Sequence, residues 1–221
     1  MERSHSWPSA LAWKASIPRG IAGSNPALSA STTFQRWFFY FHYNLPMSKY
    51  RKMLSDYNAE PIQAFMRLIE TQSKQTIATW CLNYAEAHIL PIYNKQFPLD
   101  SRPQSALDAA QAWLSKEIKL PEAKAWILAC HTAARETETY PAAQAAARAL
   151  GQAASTIHAP THALGLPLYG SLALAYDTLG LNDSWENLEA FALQECEKML
   201  LSFRAKAVQN EPNPVKVRWF C

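Results

Sequence analysis

The sequence contains no glycine from residue 47 to residue 150, and the prolines of this stretch interrupt its pattern where helices would begin. Pro61, Pro103, Pro121 and Pro141 are each followed by helix-favouring residues. Proline suits the first turn of a helix, where its missing N–H costs nothing. No window shows the period-two alternation of a strand. The sequence therefore predicts an all-α fold, a bundle or array of about six to seven helices with short connections.

Two segments carry apolar residues at the three- and four-residue steps of an amphipathic helix. The first stripe consists of Ile77, Trp80, Cys81, Tyr84 and His88. The second stripe consists of Trp185, Leu188, Phe191 with Ala192, Cys196, Met199 with Leu200, and Phe203. The second segment opens on Asp183, and Glu186 follows three residues later in the spacing of a capping box. We expect both stripes to face the core and Asp183 to cap its helix.

Residues 142–154 are the part of the chain richest in alanine. Alanine has the highest helix propensity, and its small side chain lets a neighbouring helix approach closely. Gln144, Arg148 and Gln152 interrupt the run too regularly for simple low complexity. We therefore expect a central helix that larger partners surround.

The formal net charge of +3 comes entirely from the first 46 residues. Four of the 21 Lys and Arg residues precede Met47, but only one of the 18 Asp and Glu residues does so. From Met47 onward 17 basic residues therefore face 17 acidic ones. A neutral domain lacks the charge signature of a polyphosphate-binding protein, so nucleic acid is not an expected partner.

Membrane insertion and disulfide bonding are both disfavoured by the sequence. The longest apolar run, at residues 37–41, is far shorter than the roughly 18 to 20 residues that cross a bilayer. Cys81, Cys130, Cys196 and Cys221 form no CxxC pair. This usage of cysteine predicts free thiols in a reducing compartment, the cytoplasm.

Residues 1–46 show neither helical nor strand periodicity, and no secretory signal. They are expected to form a disordered extension, with residues 47–221 as the folded domain. The run Gly23-Ser24-Asn25-Pro26 resembles read-through of the end of a transfer-RNA gene, because T-loop codons spell these residues. We therefore expect natural translation to start at Met47. The alternative is a natural flexible extension that starts at Met1.

A metal site is the first chemical hypothesis, because His158 and His162 are spaced four residues apart. Pro160 lies between them and disfavours the α conformation at the preceding residue, so this segment is expected to be a kink or a helix junction. His131 could be a third ligand only if its helix lies alongside. The chain has no glycine-rich phosphate loop and no Gly-x-Ser-x-Gly elbow. We therefore predict no cofactor, no bound metal and no catalytic residue.

Two charged pairs are candidates for binding or for the framework of the fold. Asp100 and Arg102 lie just before Pro103, where a carboxylate can cap a helix and an arginine can bridge to another element. His131 and Arg135 are four residues apart and share a helical face. We interpret Asp100 and Arg102 as framework, and we keep His131, Arg135, His158 and His162 as framework or interface.

The order of these motifs resembles that of the Imm-5-like immunity proteins, over roughly residues 70–175. The resemblance rests on Asp100-Ser101-Arg102-Pro103, then residues 129–135, residues 147–153, His158 and His162. Trp80 and the motif Ala85-Glu86-x-His88-x-Leu90-Pro91, which ends its helix, also fit. Lys116 differs, because the resemblance predicts glycine there.

This family consists of all-helical bacterial proteins associated with polymorphic-toxin systems. The resemblance implies a binding protein that occludes a cognate protein toxin, and not an enzyme. One alternative is a metal-dependent or acid–base enzyme that uses His131, His158 and His162 with Asp100. Another is a non-catalytic helical scaffold. The C-terminal segment at residues 215–220 is expected to pack back onto the bundle.

Overall fold

The structure is a computed structural model, and it describes residues 50–219. This part of the chain contains helices and no strand. The α-helices are α1 Glu60–Glu70, α2 Lys74–Tyr84, α3 Leu90–Gln96, α4 Arg102–Leu114, α5 Leu120–Glu136, α6 Pro141–Ser155, α7 Ser171–Leu179 and α8 Trp185–Arg204. The π turn Ala85–Ile89 joins α2 to α3, and a second π turn, Leu166–Gly170, leads into α7. The described residues therefore form seven helical rods, which confirms the predicted all-α fold. The predictions for residues 1–46 lie outside the described residues.

The four prolines mark helix starts as predicted. Pro61, Pro103 and Pro121 are the second residues of α1, α4 and α5, and Pro141 is the first residue of α6. At these positions no intrahelical partner is lost, because the first N–H groups of a helix have none.

The alanine-rich helix α6 lies at the centre of the fold. Helices α2, α3, α4, α5 and α7 all pack against it. Eight of its residues are fully or almost fully buried alanines or glycine: Ala143, Ala145, Ala146, Ala147, Ala149, Gly151, Ala153 and Ala154. Small side chains let five neighbours approach at once, so the predicted central helix is confirmed.

The rod formed by α2 and α3 differs from the sequence prediction, which ended this helix at Leu90 and Pro91. The rod continues through the π turn to Gln96. In the π turn the Leu90 N–H donates to the Ala85 carbonyl, five residues back. The wider turn adds one residue, so the apolar stripe shifts: His88 is exposed and Ile89 is fully buried. The predicted inward position of His88 is therefore wrong, because the prediction assumed an uninterrupted α-helical period.

Helix α8 buries most of its predicted stripe, including Leu188, Cys196 and Phe203, whereas Trp185 and Phe191 are partly exposed. Its cap, however, lies one residue later than expected. The Ser184 hydroxyl accepts a hydrogen bond from the Asn187 N–H at 3.2 Å. Asp183 instead accepts from the Ser184 N–H at 2.7 Å. Ser184 has the extended backbone of an N-cap and directly precedes the first helical residue, so it takes the capping position.

The cysteines within residues 50–219 are free and buried, as predicted. Burial raises the pKa of the Cys130 and Cys196 thiols to about 12. Cys221 lies outside the described residues. No helix between residues 50 and 219 is both long enough and apolar enough to cross a membrane.

The C-terminal segment packs against α1 and the turn that follows it, as expected. Gln72 is buried, and its side chain bonds both the N–H and the carbonyl of Val208. The Gln72 carbonyl accepts from the Val215 N–H at 2.9 Å. Trp219 donates its indole N–H to Glu70 at 2.6 Å. Gln72 thus holds the segment by hydrogen bonds to the main chain of Val208 and Val215, which the sequence pattern did not indicate.

Lys116 follows α4 in the left-handed region, with φ of 63°. Glycine favours this conformation because it has no Cβ to clash with the carbonyl oxygen. The glycine that the family resemblance predicts at this position matches the backbone that the chain adopts.

Candidate functional site

The first predicted pair, Asp100 and Arg102, forms a closed cluster of hydrogen bonds at the start of α4. The Arg102 guanidinium donates Nε to Oδ1 of Asp100 at 2.8 Å and Nη2 to Oδ2 at 2.6 Å. The Arg102 N–H also donates to Oδ1, at 3.1 Å. Tyr93 of α3 donates its hydroxyl to Oδ2 at 2.6 Å, and Arg102 Nη1 contacts Glu136 of α5 at 2.7 Å. We name these four residues the Asp100 cluster.

The Asp100 cluster is electrostatically satisfied. Hydrogen bonds from Arg102, followed by those from Tyr93, hold the pKa of Asp100 at about 2. Burial and the Asp100 carboxylate raise the pKa of Tyr93 above its ordinary value. A carboxylate has about four lone-pair sites, and here four donor atoms within the chain contact them. The cluster therefore links α3, α4 and α5 and leaves Asp100 little capacity for an external partner.

The three predicted histidines come from different elements. His131 lies on α5, His158 lies in the turn after α6, and His162 lies in the 3₁₀ turn Pro160–Leu164. Ala159 is extended, with φ of −138° and ψ of 110°, so the predicted break before Pro160 is confirmed. The two neighbouring rings nevertheless meet edge to face, with 5.2 Å between the centroids of His158 and His162.

His131 reaches these rings because α5 and α6 pack closely. A Cβ atom added to Gly151 would lie 2.7 Å from Cε1 of His131, so only glycine leaves room for the ring. The three imidazoles line one surface cavity of about 380 Å³. Its other lining residues are Lys124, Ile127, Leu128 and Ser155. We name this cavity the histidine groove.

Hydrogen bonding in and beside the histidine groove is incomplete. Nδ1 of His162 lies 2.6 Å from Oε1 of Gln152, so the ring nitrogen donates to the amide oxygen. Nδ1 of His158 is buried and has no hydrogen-bond partner among residues 50–219. Nε of Arg148, one turn of α6 before Gly151, is likewise buried without a hydrogen-bond partner among these residues. Buried polar atoms without a partner are few in native proteins, so each of these two atoms needs a specific explanation.

Every charge that acts on the three histidines is positive. Burial lowers the pKa of all three imidazoles below the ordinary value of 6.5. Arg135 and Arg148 lower the pKa of His131 further, and Lys124 and Lys74 do the same to His158. The imidazoles are therefore neutral at pH 7 within a cationic surrounding.

The structure thus divides the six predicted residues into two groups. Asp100 and Arg102 belong to the Asp100 cluster, and the three histidines line the groove. Arg135 is exposed and lies outside the groove lining; its guanidinium donates to the Thr132 hydroxyl at 2.6 Å. Arg135 shares a helical face with His131, and its positive charge lowers the pKa of that imidazole.

Sequence reasoning did not select Arg148 and Gln152 as site residues, although a signal existed. Gln144, Arg148 and Gln152 recur every four residues on an otherwise smooth helix. That period places them on one face, which is the face toward α5: Gln144 donates to the Ala134 carbonyl of that helix at 3.0 Å. Lys74 and Lys124 gave no such signal, because each is one exposed lysine among many.

The described residues do not form a metal centre of the kind considered from the sequence. Between residues 50 and 219, no group of three or more His, Cys, Asp or Glu residues is placed to hold a metal ion. The three histidines share a cavity without sharing one coordination point.

A second surface cavity, of about 490 Å³, lies between α2 and the end of α8. Its lining includes the rings of Trp80, Tyr84 and His88. The ring centroids of Trp80 and Tyr84 are 5.5 Å apart, and those of Tyr84 and His88 are 4.4 Å apart. Trp80 donates its indole N–H to Ser202 at 3.2 Å. The exposed position of His88 is the consequence of the π turn.

The sequence matches the family described as Imm-5 like putative immunity protein over residues 67–202. No curated protein and no solved structure matched the chain. The matched range starts within α1 and ends within α8, so it includes the Asp100 cluster and the histidine groove. Because the match covers more than half of the chain, this protein belongs to the Imm-5-like family.

Proposed function

We propose that the protein is an immunity protein that binds a cognate bacterial toxin in the cytoplasm and neutralises it stoichiometrically. The family match over residues 67–202 is the observation that carries this proposal. Such a protein needs a preformed binding surface and no catalytic machinery.

The histidine groove is the binding surface that we assign to the toxin. Leu128 lines it and is 65% exposed, which offers an apolar contact at its edge. The partly exposed rings of His131, His158 and His162 add polar edges to the groove. Binding energy in protein interfaces concentrates at a few such residues that become desolvated when the partner docks. The groove thus combines an apolar contact with polar ring edges.

The Asp100 cluster has a different role in this proposal. Asp100 is bonded by Tyr93 and Arg102, and Arg102 also contacts Glu136, so the polar groups of the cluster satisfy one another. We assign the cluster to the framework that holds α3, α4 and α5 together.

The geometry supports binding over acid–base catalysis. A catalytic histidine is oriented by a second group, often a carboxylate. Within residues 50–219, His162 is bonded to the neutral amide of Gln152, and no carboxylate is bonded to any of the three imidazoles. His131, His158 and His162 therefore have no negatively charged partner that would raise their basicity.

Affinity purification of the tagged full-length chain from its native host tests the proposal. We expect one stoichiometric partner, identified by mass spectrometry, whose expression alone stops growth. Co-expression of this chain should restore growth. Absence of such a partner, in lysate where the cognate toxin gene is demonstrably expressed, would overturn the proposal.

A further inference from the structure

The histidine groove has a one-sided charge distribution. Lys124 of α5 lines it, and three cations outside the lining act on its histidines: Lys74 of α2, Arg135 of α5 and Arg148 of α6. These four residues and the histidines themselves are the charged and titratable groups that act on the three imidazoles. The domain as a whole is formally balanced, with 17 basic and 17 acidic residues from Met47 onward. The groove is thus a local positive region on a neutral protein.

The hydrogen-bonding groups in this region are mainly donors. Lysine and arginine side chains carry only donors. Nε of Arg148 is a buried donor without a partner in the described chain. Nδ1 of His162 donates to Gln152, which leaves Nε2 of that neutral ring as an acceptor. Protonation would convert the ring nitrogens to donors as well.

We propose that the histidine groove binds carboxylates of an acidic segment of the partner protein, and that binding is accompanied by proton uptake at the imidazoles. The partner's identity as the toxin rests on the proposed function above. The charge complementarity decides the chemistry: Lys124 lines the cavity, Lys74 and Arg148 add positive charge near its histidines, and the neutral rings gain charge when a negative group arrives. A basic or purely apolar segment would leave these donors unpaired.

The proton uptake follows from the direction of the pKa shifts. In the free protein burial and neighbouring cations hold the three pKa values below 6.5. A bound carboxylate favours the charged imidazole and raises its pKa. Affinity therefore increases as the pH falls through the pKa values of the bound rings. Added salt weakens the contact with Lys74 and Lys124, since both lysines are exposed.

Acetylated and amidated hexaaspartate is the probe, with hexalysine, hexaasparagine and inorganic sulfate as comparisons. NMR titration of the full-length protein follows the ring protons of His131, His158 and His162. We expect hexaaspartate to shift these resonances, to raise their pKa values and to bind at least about tenfold more tightly at pH 6 than at pH 8. Hexalysine and hexaasparagine should leave them unchanged.

The double variant Lys74→Gln/Lys124→Gln removes two charges beside the groove. Its matched control, Lys206→Gln/Lys216→Gln, removes two exposed charges elsewhere. We expect only the first variant to lose hexaaspartate affinity, by at least about tenfold, and to retain less toxin during purification.

Three results would overturn the inference. In the first, hexaaspartate leaves the histidine resonances unchanged while the toxin is still captured, which leaves the proposed function intact. In the second, sulfate binds as tightly as hexaaspartate, which removes the preference for a peptide segment. In the third, hexaaspartate binds but no toxin is captured, which removes the partner together with the proposed function.

Discussion

Asp100 and His158 are both partly buried polar residues in loops next to α-helices, yet their surroundings are opposite. Asp100 accepts hydrogen bonds from two residues, and its guanidinium partner also contacts Glu136. His158 has a buried ring nitrogen without a partner in the described chain, and the charges that act on it are positive. The hydrogen bonds and ion pairs around Asp100 contribute their free energy to folding. The surroundings of His158 place a partly exposed ring beside cationic side chains, where we propose that a partner binds.

Two clusters that both lie within the residues matching the family can therefore have different roles. A polar group that is fully bonded inside the chain contributes to folding, whereas an unbonded donor carries a cost until a ligand arrives. In our proposal the residues within the family match divide into a structural set around Asp100 and a binding set around His158.

The largest expected loss of stability comes from a substitution at Gly165, which packs against the residue that supports His162. A Cβ atom added to Gly165 would lie 2.1 Å from Cβ of Gln152, the residue that bonds His162. Gly165→Ala should therefore destabilise the protein by about 3 kcal/mol, because backbone must move to relieve the contact. Urea unfolding measures the change. Gly180→Ala cannot serve as the control, because a φ of 83° would strain alanine at that position. The control is Ala142→Gly, at the partly exposed start of α6, which should lower the free energy of unfolding less. An unchanged midpoint for Gly165→Ala would contradict the close packing described.

Arg102→Ala tests the other member of the comparison. It leaves Asp100 and Glu136 without their cation and should lower the free energy of unfolding by about 2 kcal/mol. Exposed Arg67, which pairs with Glu60, provides the matched control: Arg67→Ala should cost less than about 1 kcal/mol. Equal losses from the two variants would show that the Asp100 cluster is an ordinary surface ion pair.

The two clusters should also differ in the pH range where they affect stability. The folded-state pKa of Asp100 is about 2, below the unfolded value, so its contribution is full above about pH 4 and is lost as the pH falls through 2. The three histidines also have lowered folded-state pKa values, but as bases. Above pH 6.5 they are neutral in both states; below it the unfolded state takes up protons first, so stability falls until the pH has passed their folded-state values.

Urea unfolding between pH 8 and pH 2 separates these contributions. Asp100→Asn should remove the acid-range loss, and His162→Gln should flatten the loss that begins just below neutral pH. His88→Gln serves as the histidine control, because His88 is exposed and lies outside the groove. A decline below pH 7 that is equally steep in wild type and His162→Gln would contradict the electrostatics of the groove.

The smallest expected effect lies outside both clusters. Lys116 has φ of 63°, and Lys116→Gly should stabilise the protein by about 0.5 to 1 kcal/mol because glycine accepts this conformation. For a domain of this size the melting temperature should rise by roughly 1 to 4 °C. Toxin capture should not change. A lower melting temperature would mean that the lysine side chain contributes contacts that outweigh the backbone cost.

Much of the fold could be predicted from the sequence, because helix periodicity and proline placement are local signals. Pro61, Pro103, Pro121 and Pro141 indicate four helix starts, and the alanine run indicates the central helix. The position of His88 could not be predicted in the same way, since one π turn changes the register of the helix. The choice of Ser184 over Asp183 as the cap depends on a backbone angle that composition does not determine.

The candidate site was less accessible to sequence reasoning. The motif residues His131, His158 and His162 could be selected, but their meeting depends on the packing of α5 against Gly151 and on the extended residue Ala159. The cationic character of the groove arises from side chains of three helices. Charge counts over the whole domain conceal it, because the domain is balanced overall.

The most direct test compares His158→Ala with Arg102→Ala in two measurements on the same proteins: affinity for the captured toxin and free energy of unfolding. We predict that His158→Ala weakens toxin binding by at least about tenfold, or about 1.4 kcal/mol, with little change in stability. Arg102→Ala should lower stability and leave the affinity of the folded protein unchanged. The reverse pattern, with affinity lost in Arg102→Ala and retained in His158→Ala, would contradict the assignment of the groove to binding and of the Asp100 cluster to folding.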